Sequence, residues 1–163
     1  VIVGLGIDVA GIARMEQLLA RHRQRFLDRW FDPRELPACT SAERIAARWA
    51  AKEAAAKALG TGFTEGIVPS QIAVLSQPSG APVLHLAGAA LARAQALGAT
   101  RFHVSLSHAD GTAVATVILE SLPPGVGGSH FRLPNDGHRQ SSVRTDIPAY
   151  QPQPPTPNPR GNG

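Results

Sequence analysis

Residues 40–62 read TSAERIAARWAAKEAAAKALGTG, and the way this stretch folds decides what can be built around it. Alanine, the strongest helix former, fills its interior, and Gly60 stands where a helix ends on a left-handed residue. Thr40 followed three residues later by Glu43 has the pattern of a capping box. Ile45, Trp49, Ala56 and Leu59 form one apolar stripe. The spacing predicts a long helix. Inside it lie Lys52 and Lys57, the only two lysines among 16 basic side chains, on either side of Glu53.

Upstream, VIVGLGIDV (residues 1–9) alternates as a strand, with Val1, Val3, Leu5 and Ile7 on one face and Ile2, Gly4, Gly6 and Asp8 on the other. Asp8 therefore shares a face with two glycines that leave room beside the backbone. GIARMEQLLARH (residues 11–22) has Ile12, Met15, Leu18 and Leu19 at helical spacing, and Pro33 and Pro37 break the segment that follows into turns. Downstream, QIAVLSQ and APVLHLAG are two short strands around Pro-Ser-Gly, AGAALARAQALG is a helix, and FHVSLSH and TAVATVILE form a hairpin across Ala109-Asp110-Gly111. The order implies an α+β domain over residues 1–120, a mainly antiparallel sheet packed against the long alanine-rich helix. Residues 121–163 hold 9 of the 14 prolines and no apolar periodicity, and are expected to be a disordered tail.

A chain of 163 residues, 43% hydrophobic and 17% charged, suits a single globular core. No apolar run is long enough for a membrane span and no signal-peptide pattern opens the chain, so the expected location is cytoplasmic. Cys39, the single cysteine, reads as a free thiol. The net charge of +4 matters less than its clustering: Arg14, Arg21, Arg23, Arg25 and Arg29 fall in one short segment, an arginine-rich surface suited to an acidic partner or to phosphates. Nucleic acid is disfavoured, because aromatics are only 5% and none alternates with these arginines.

Chemistry concentrates on few residues. Glu53 and Lys57 are four apart and face the same way along the helix; an ordinary ion pair is the plain reading. Against it, arginine would serve a surface pair equally well in this chain, whereas a compact ammonium can also give up a proton. Asp8 is either an N-cap for the next helix or a second carboxylate that joins Glu53 around a hard divalent cation, with other positions left to water and phosphate oxygens. HVSLSHAD offers serines, His108 and Asp110, but lacks the G-x-S-x-G elbow of a hydrolase. GLG near the start is half of a dinucleotide fingerprint, whereas the Gly60-Thr61 turn can offer backbone N–H groups to phosphate.

Taken together, GLGIDVAGIARM, RWFDPREL, ARWAAKEAAAKALGTG and HVSLSHADGTAVATVILE resemble, in order, the motifs of the holo-(acyl-carrier-protein) synthase family of 4′-phosphopantetheinyl transferases, over about residues 2–120. The tail is outside that pattern, and the tryptophan often found before the QIAV strand is replaced by Pro69 and Ser70. The resemblance implies transfer of 4′-phosphopantetheine from coenzyme A to a serine of an acidic acyl carrier protein, releasing 3′,5′-ADP. It implies that Asp8 and Glu53 hold Mg2+ and that Lys57 lies at the pyrophosphate. It also implies that Arg48, Gly60, Thr61, Pro82 and His108 contact coenzyme A. Deprotonation of the serine needs a base, and either a metal-bound water or one ordered by His108 and Asp110 is expected to serve. The resemblance further implies that Arg14 docks the carrier, with Arg21 and Arg25 expected to assist by steering, and the family is typically a homotrimer with sites between protomers. Lys52 belongs to the motif without an assigned role. A non-catalytic carrier-binding subunit and a magnesium-dependent phosphate-ester hydrolase are the rival readings; intact Asp8, Glu53 and Lys57 argue against the first, and the lack of further carboxylates against the second.

Overall fold

The computed structural model describes residues 1–122, so the tail beyond Leu122 lies outside the described residues. The elements are β1 (Ile2–Gly11), α1 (Ile12–Trp30), a 3-10 turn (Pro33–Ala38), α2 (Ala42–Ala58), a second 3-10 turn (Pro69–Gln71), β2 (Ile72–Ser76), β3 (Pro82–Leu86), α3 (Gly88–Ala96), β4 (Arg101–Ala109) and β5 (Thr112–Glu120). Their order is the one expected. All strand pairs are antiparallel, in a three-stranded sheet of order β1-β5-β4 and a separate β2-β3 hairpin. The β4-β5 connection puts Asp110 and Gly111 both at positive φ, 49° and 74°, as a two-residue hairpin turn of matching twist requires.

At the centre lies α2. Ala50, Ala51, Ala54, Ala55 and Ala56 have no exposed surface, and β1, β5, β2 and α1 all pack against this helix. The glycine face of β1 makes the closest approach. A Cβ at Gly4 would lie 2.3 Å from the carbonyl oxygen of Ala58, and one at Gly6 1.9 Å from that of Ala54. Strand backbone thus rests directly on helix backbone, the two running in opposite directions. The branched face of β1 points outward: Leu5, Ile7 and Val9 are 57–64% exposed.

Two boundaries differ from the sequence reading. The first helix does not stop at His22 but continues to Trp30, with a kink at His22 (φ −142°). The run RHRQR hides a stripe that resumes at Phe26, Leu27 and Trp30, which pack on Trp49, Phe31 and the start of α2. The cap of α2 is Ser41, whose hydroxyl accepts from the N–H of Arg44; the box expected between Thr40 and Glu43 does not form. A capping box does form at the 3-10 turn, between Asp32 and Glu35.

Because no side chain separates β1 from α2, Gly6→Ala is expected to cost about 3 kcal/mol, at the upper end of ordinary overpacking. Urea unfolding measures it. A loss under about 1 kcal/mol would show that the strand can lift off the helix without consequence.

Candidate active site

Asp8 continues the glycine face of β1 by two residues and so projects toward α2. It does not cap α1, whose N-cap is Gly11 without a side-chain hydrogen bond. Glu53 and Lys57 occupy adjacent turns of α2, yet they are not joined as an ordinary i,i+4 pair. The Lys57 ammonium donates instead to Asp8 Oδ1 at 2.7 Å and to the carbonyl oxygen of Ile7 at 3.1 Å. All three side chains line one cavity of about 610 Å3, with Arg14 at its side and Met15 and Trp49 among its apolar walls.

The electrostatics follow from this crowding. Partial burial pushes the Glu53 carboxyl above its ordinary range, the Asp8 charge adds to the rise, and Lys57 opposes it. The hydrogen bond to Asp8 raises the Lys57 ammonium in turn. Two carboxylates that cannot escape each other are a receptor for positive charge. The donor set fits a hard divalent ion that keeps most of its positions for water and phosphate oxygens, because two carboxylates, Asp8 and Glu53, line the space. Among the described residues there is no cluster of three or more acidic, histidine or cysteine side chains of the kind that encloses a metal completely.

The remaining predicted residues lie elsewhere in the chain. His108 Nδ1 is 3.0 Å from Glu43 Oε1 on the first turn of α2, and Asp110 is in the turn just beyond. Ten residues of helix separate Glu43 from Glu53, a rise of about 15 Å. Gly60, with φ +77°, ends α2 at its other extremity, and Thr61 follows it. Arg48 is buried and ties α2 to β2: its Nη2 donates to Ser76 Oγ at 2.9 Å and its Nη1 to the carbonyl oxygen of Arg44 at 3.3 Å, while its Nε has no partner among the described residues. Pro82 pairs with Ser76 across the β2-β3 hairpin, so it and Arg48 share a neighbour. Neither lines the Asp8 cavity. Arg25 lines a second groove, of about 240 Å3, that shares Leu18 and Phe26 with the first; Arg21 is exposed on the same helix.

Two contributors, Glu35 and Arg93, were not singled out from the sequence, and a third, Lys52, was noted there without a role. Glu35 and Lys52 form an ion pair with no exposed surface, and Arg93 Nε donates to the carbonyl oxygen of Leu59 at the end of α2. Lys52 alone carried a signal, as one of two lysines in an arginine-rich chain.

A model of the 4′-phosphopantetheinyl transferase superfamily matches residues 4–117. The chain therefore belongs to that superfamily of transferases, and within it to the holo-[acyl-carrier-protein] synthase family. Among its relatives, the holo-[acyl-carrier-protein] synthase of Nitratidesulfovibrio vulgaris (strain DP4) is 52% identical over 123 residues, which are 74% of this chain and 99% of that protein. The crystal structure of the Neisseria meningitidis holo-[acyl-carrier-protein] synthase superposes with a TM-score of 0.66 at 32% identity, over 74% of this chain and all of the other. That of the Helicobacter pylori enzyme in complex with coenzyme A gives 0.65 at 31% identity, over 71% and 99%. Among the described residues no helix is long and apolar enough to cross a membrane.

Proposed function

We propose that this chain transfers the 4′-phosphopantetheine group of coenzyme A to a serine hydroxyl of an acyl carrier protein, with Mg2+ bound, and releases 3′,5′-ADP. The observation that carries the reading is the meeting of Asp8, Glu53 and Lys57 at one cavity, in a family whose relatives are named for this reaction. Asp8 and Glu53 would hold the ion. Bound there, it would neutralise the pyrophosphate and the charge that develops on its oxygens.

The residues of the chain do the rest. Lys57 is more than half exposed, and its contact with Asp8 is readily exchanged for a phosphate oxygen. As the serine oxygen bonds to the β-phosphorus and the bridging P–O bond breaks, the ammonium faces the oxygen that leaves with 3′,5′-ADP and can protonate it. The serine proton passes through a water ordered by His108 and Asp110 to one of these two side chains. Arg48, Gly60, Thr61 and Pro82 would hold the nucleotide part of coenzyme A.

His108 and Asp110 are too far along α2 to serve Glu53 of their own chain, so the complete site in this reading lies between protomers. The outer face of β1 supports such an assembly. Leu5, Ile7 and Val9 stand opposite Ile118, Thr116 and Val114 of β5 in register, an apolar surface that calls for a partner. We take the assembly to be a homotrimer. The carrier, an acidic protein of primary metabolism such as fatty-acid synthesis, would dock on Arg14, Arg21 and Arg25, beside the cavity mouth. We place the reaction in the reducing cytoplasm, with which the free thiol of Cys39 agrees.

Intact-mass measurement of an apo carrier protein incubated with this chain, coenzyme A and Mg2+ should reveal the added phosphopantetheine. Asp8→Asn, Glu53→Gln and Lys57→Arg should each lower kcat by about a hundredfold or more with the fold retained; wild-type rates in these variants would refute the assignment. Mixed assemblies of Glu53→Gln and His108→Ala chains should recover activity that neither homogeneous variant has, and Ile7→Glu should yield monomers by light scattering. Failure of mixing to restore any rate would place the two residues in one protomer's site or in none. Carrier affinity should weaken as salt is added, and Arg14→Ala should raise KM for the carrier but not for coenzyme A; insensitivity to salt would remove the arginine surface from the docking role.

A further inference from the structure

Lys52 is the largest side chain in the described core without exposure, and its partner Glu35 is equally buried. Its Nζ donates to Glu35 Oε2 at 2.6 Å and to the carbonyl oxygens of Pro69 at 3.1 Å and Ile72 at 2.5 Å, so each of its three N–H groups has its own acceptor. Glu35 in turn accepts from the N–H of Val74 through Oε1 and from the N–H of Asp32 through Oε2, both at 2.9 Å. One ion pair therefore joins α2, the 3-10 turn at Pro33–Ala38, the residue that opens the second turn, and β2.

Stability alone does not account for such a pair. Burial pushes the Lys52 ammonium down from its ordinary pKa, with Glu35 opposing the shift, and a well-packed apolar pair of the same volume is commonly as stable or more so. What the pair supplies is position. From Ala50 to Ala58 the other buried residues of α2 are alanines, whose short side chains make shallow ridges that resist rotation and axial sliding poorly; Ile45 and Arg48 lie nearer its start. Glu53 nevertheless has to face Asp8, which is fixed on a strand, and rotation of the helix by one residue turns a side chain by about 100°. Lys52 immediately precedes Glu53.

We infer that the buried Glu35–Lys52 pair is a positioning device that fixes the rotation and height of α2, and through it presents Glu53 and Lys57 to Asp8. The inference rests on the reading of those three residues as the reactive set. It also accounts for the second lysine. A tetrahedral ammonium points its three N–H groups at three separated acceptors, which a planar guanidinium does not match.

The test compares the wild-type chain with Glu35→Gln/Lys52→Met, which removes both charges, and with Lys52→Arg, which keeps both charges but changes the geometry of the donors. Three quantities are read for each: Tm, the affinity for Mn2+ alone by electron paramagnetic resonance, and kcat with KM for coenzyme A. The double variant is expected to fold cooperatively with a Tm near that of wild type, while Mn2+ affinity and kcat each fall by about tenfold or more, as when groups that orient metal ligands are removed. Lys52→Arg should show the same loss to a smaller degree. Wild-type Mn2+ affinity and kcat in either folded variant would overturn the inference. Failure of both to fold would overturn it too, since the pair would then serve the fold itself. A wild-type chain that neither binds Mn2+ nor modifies a carrier would instead overturn the reading on which the inference rests.

Discussion

The direct contact between the backbone of β1 and the backbone of α2 is the constraint from which the rest of the molecule follows. A strand and a helix that pack through ordinary side chains keep a layer of atoms between them, and a short carboxylate on one would not reach a functional group on the other. Gly4 and Gly6 remove that layer on the strand, and Ala54 and Ala58 remove it on the helix. Two residues further along the same face, Asp8 is delivered onto α2 with no freedom to retreat. The composition of the helix and the geometry of the site are thus one requirement: larger residues at Ala54 or Ala58 would lift Asp8 away from Lys57.

Close packing also explains why the site is poised rather than locked. Asp8 and Lys57 satisfy each other, but Lys57 is largely in solvent, where an ion pair is easily exchanged for another anion. Glu53 has no such partner among the described residues. It is partly buried beside a like charge, and its carboxyl is held above the usual range for that reason. The cavity therefore holds one satisfied carboxylate, one unsatisfied carboxylate and a lysine able to move, on the last turn of a helix whose negative end favours a cation. This arrangement favours a ligand that brings both a metal ion and phosphate.

Much of this was legible in the sequence because the determinants are local. Alternation put Asp8 on the glycine face, alanine content and Gly60 delimited α2, and Asp110-Gly111 gave the hairpin its turn. The misreadings have local causes too. RHRQR masks the second half of α1, since the apolar stripe resumes only after the kink at His22. Thr40 and Ser41 are both capping residues, and sequence alone cannot choose between them; tertiary packing sets the helix start at Ala42. The partner of Lys52 was beyond reach for a different reason. Glu35 is 17 residues away in a proline-broken segment, and its burial depends on β2, which is later still in the chain.

The split of the predicted site residues along α2 follows from the same architecture. Glu53 opens on the cavity beside β1, whereas Gly60 and the Glu43–His108 contact lie at the two ends of a helix buried along most of its length, so these residues of one chain stand apart. The outer face of the three-stranded sheet is graded accordingly. Its β1 side carries Leu5, Ile7 and Val9, whereas its β4 side carries Arg101, Ser105 and His103, the last paired with Glu120 at 3.0 Å. In the proposed trimer the apolar side would be buried around the symmetry axis and the polar side would border the neighbouring protomer's cavity. Heterologous contacts of that kind would close into a ring, and the proposed ring would have to bridge the separation of Glu43 from Glu53.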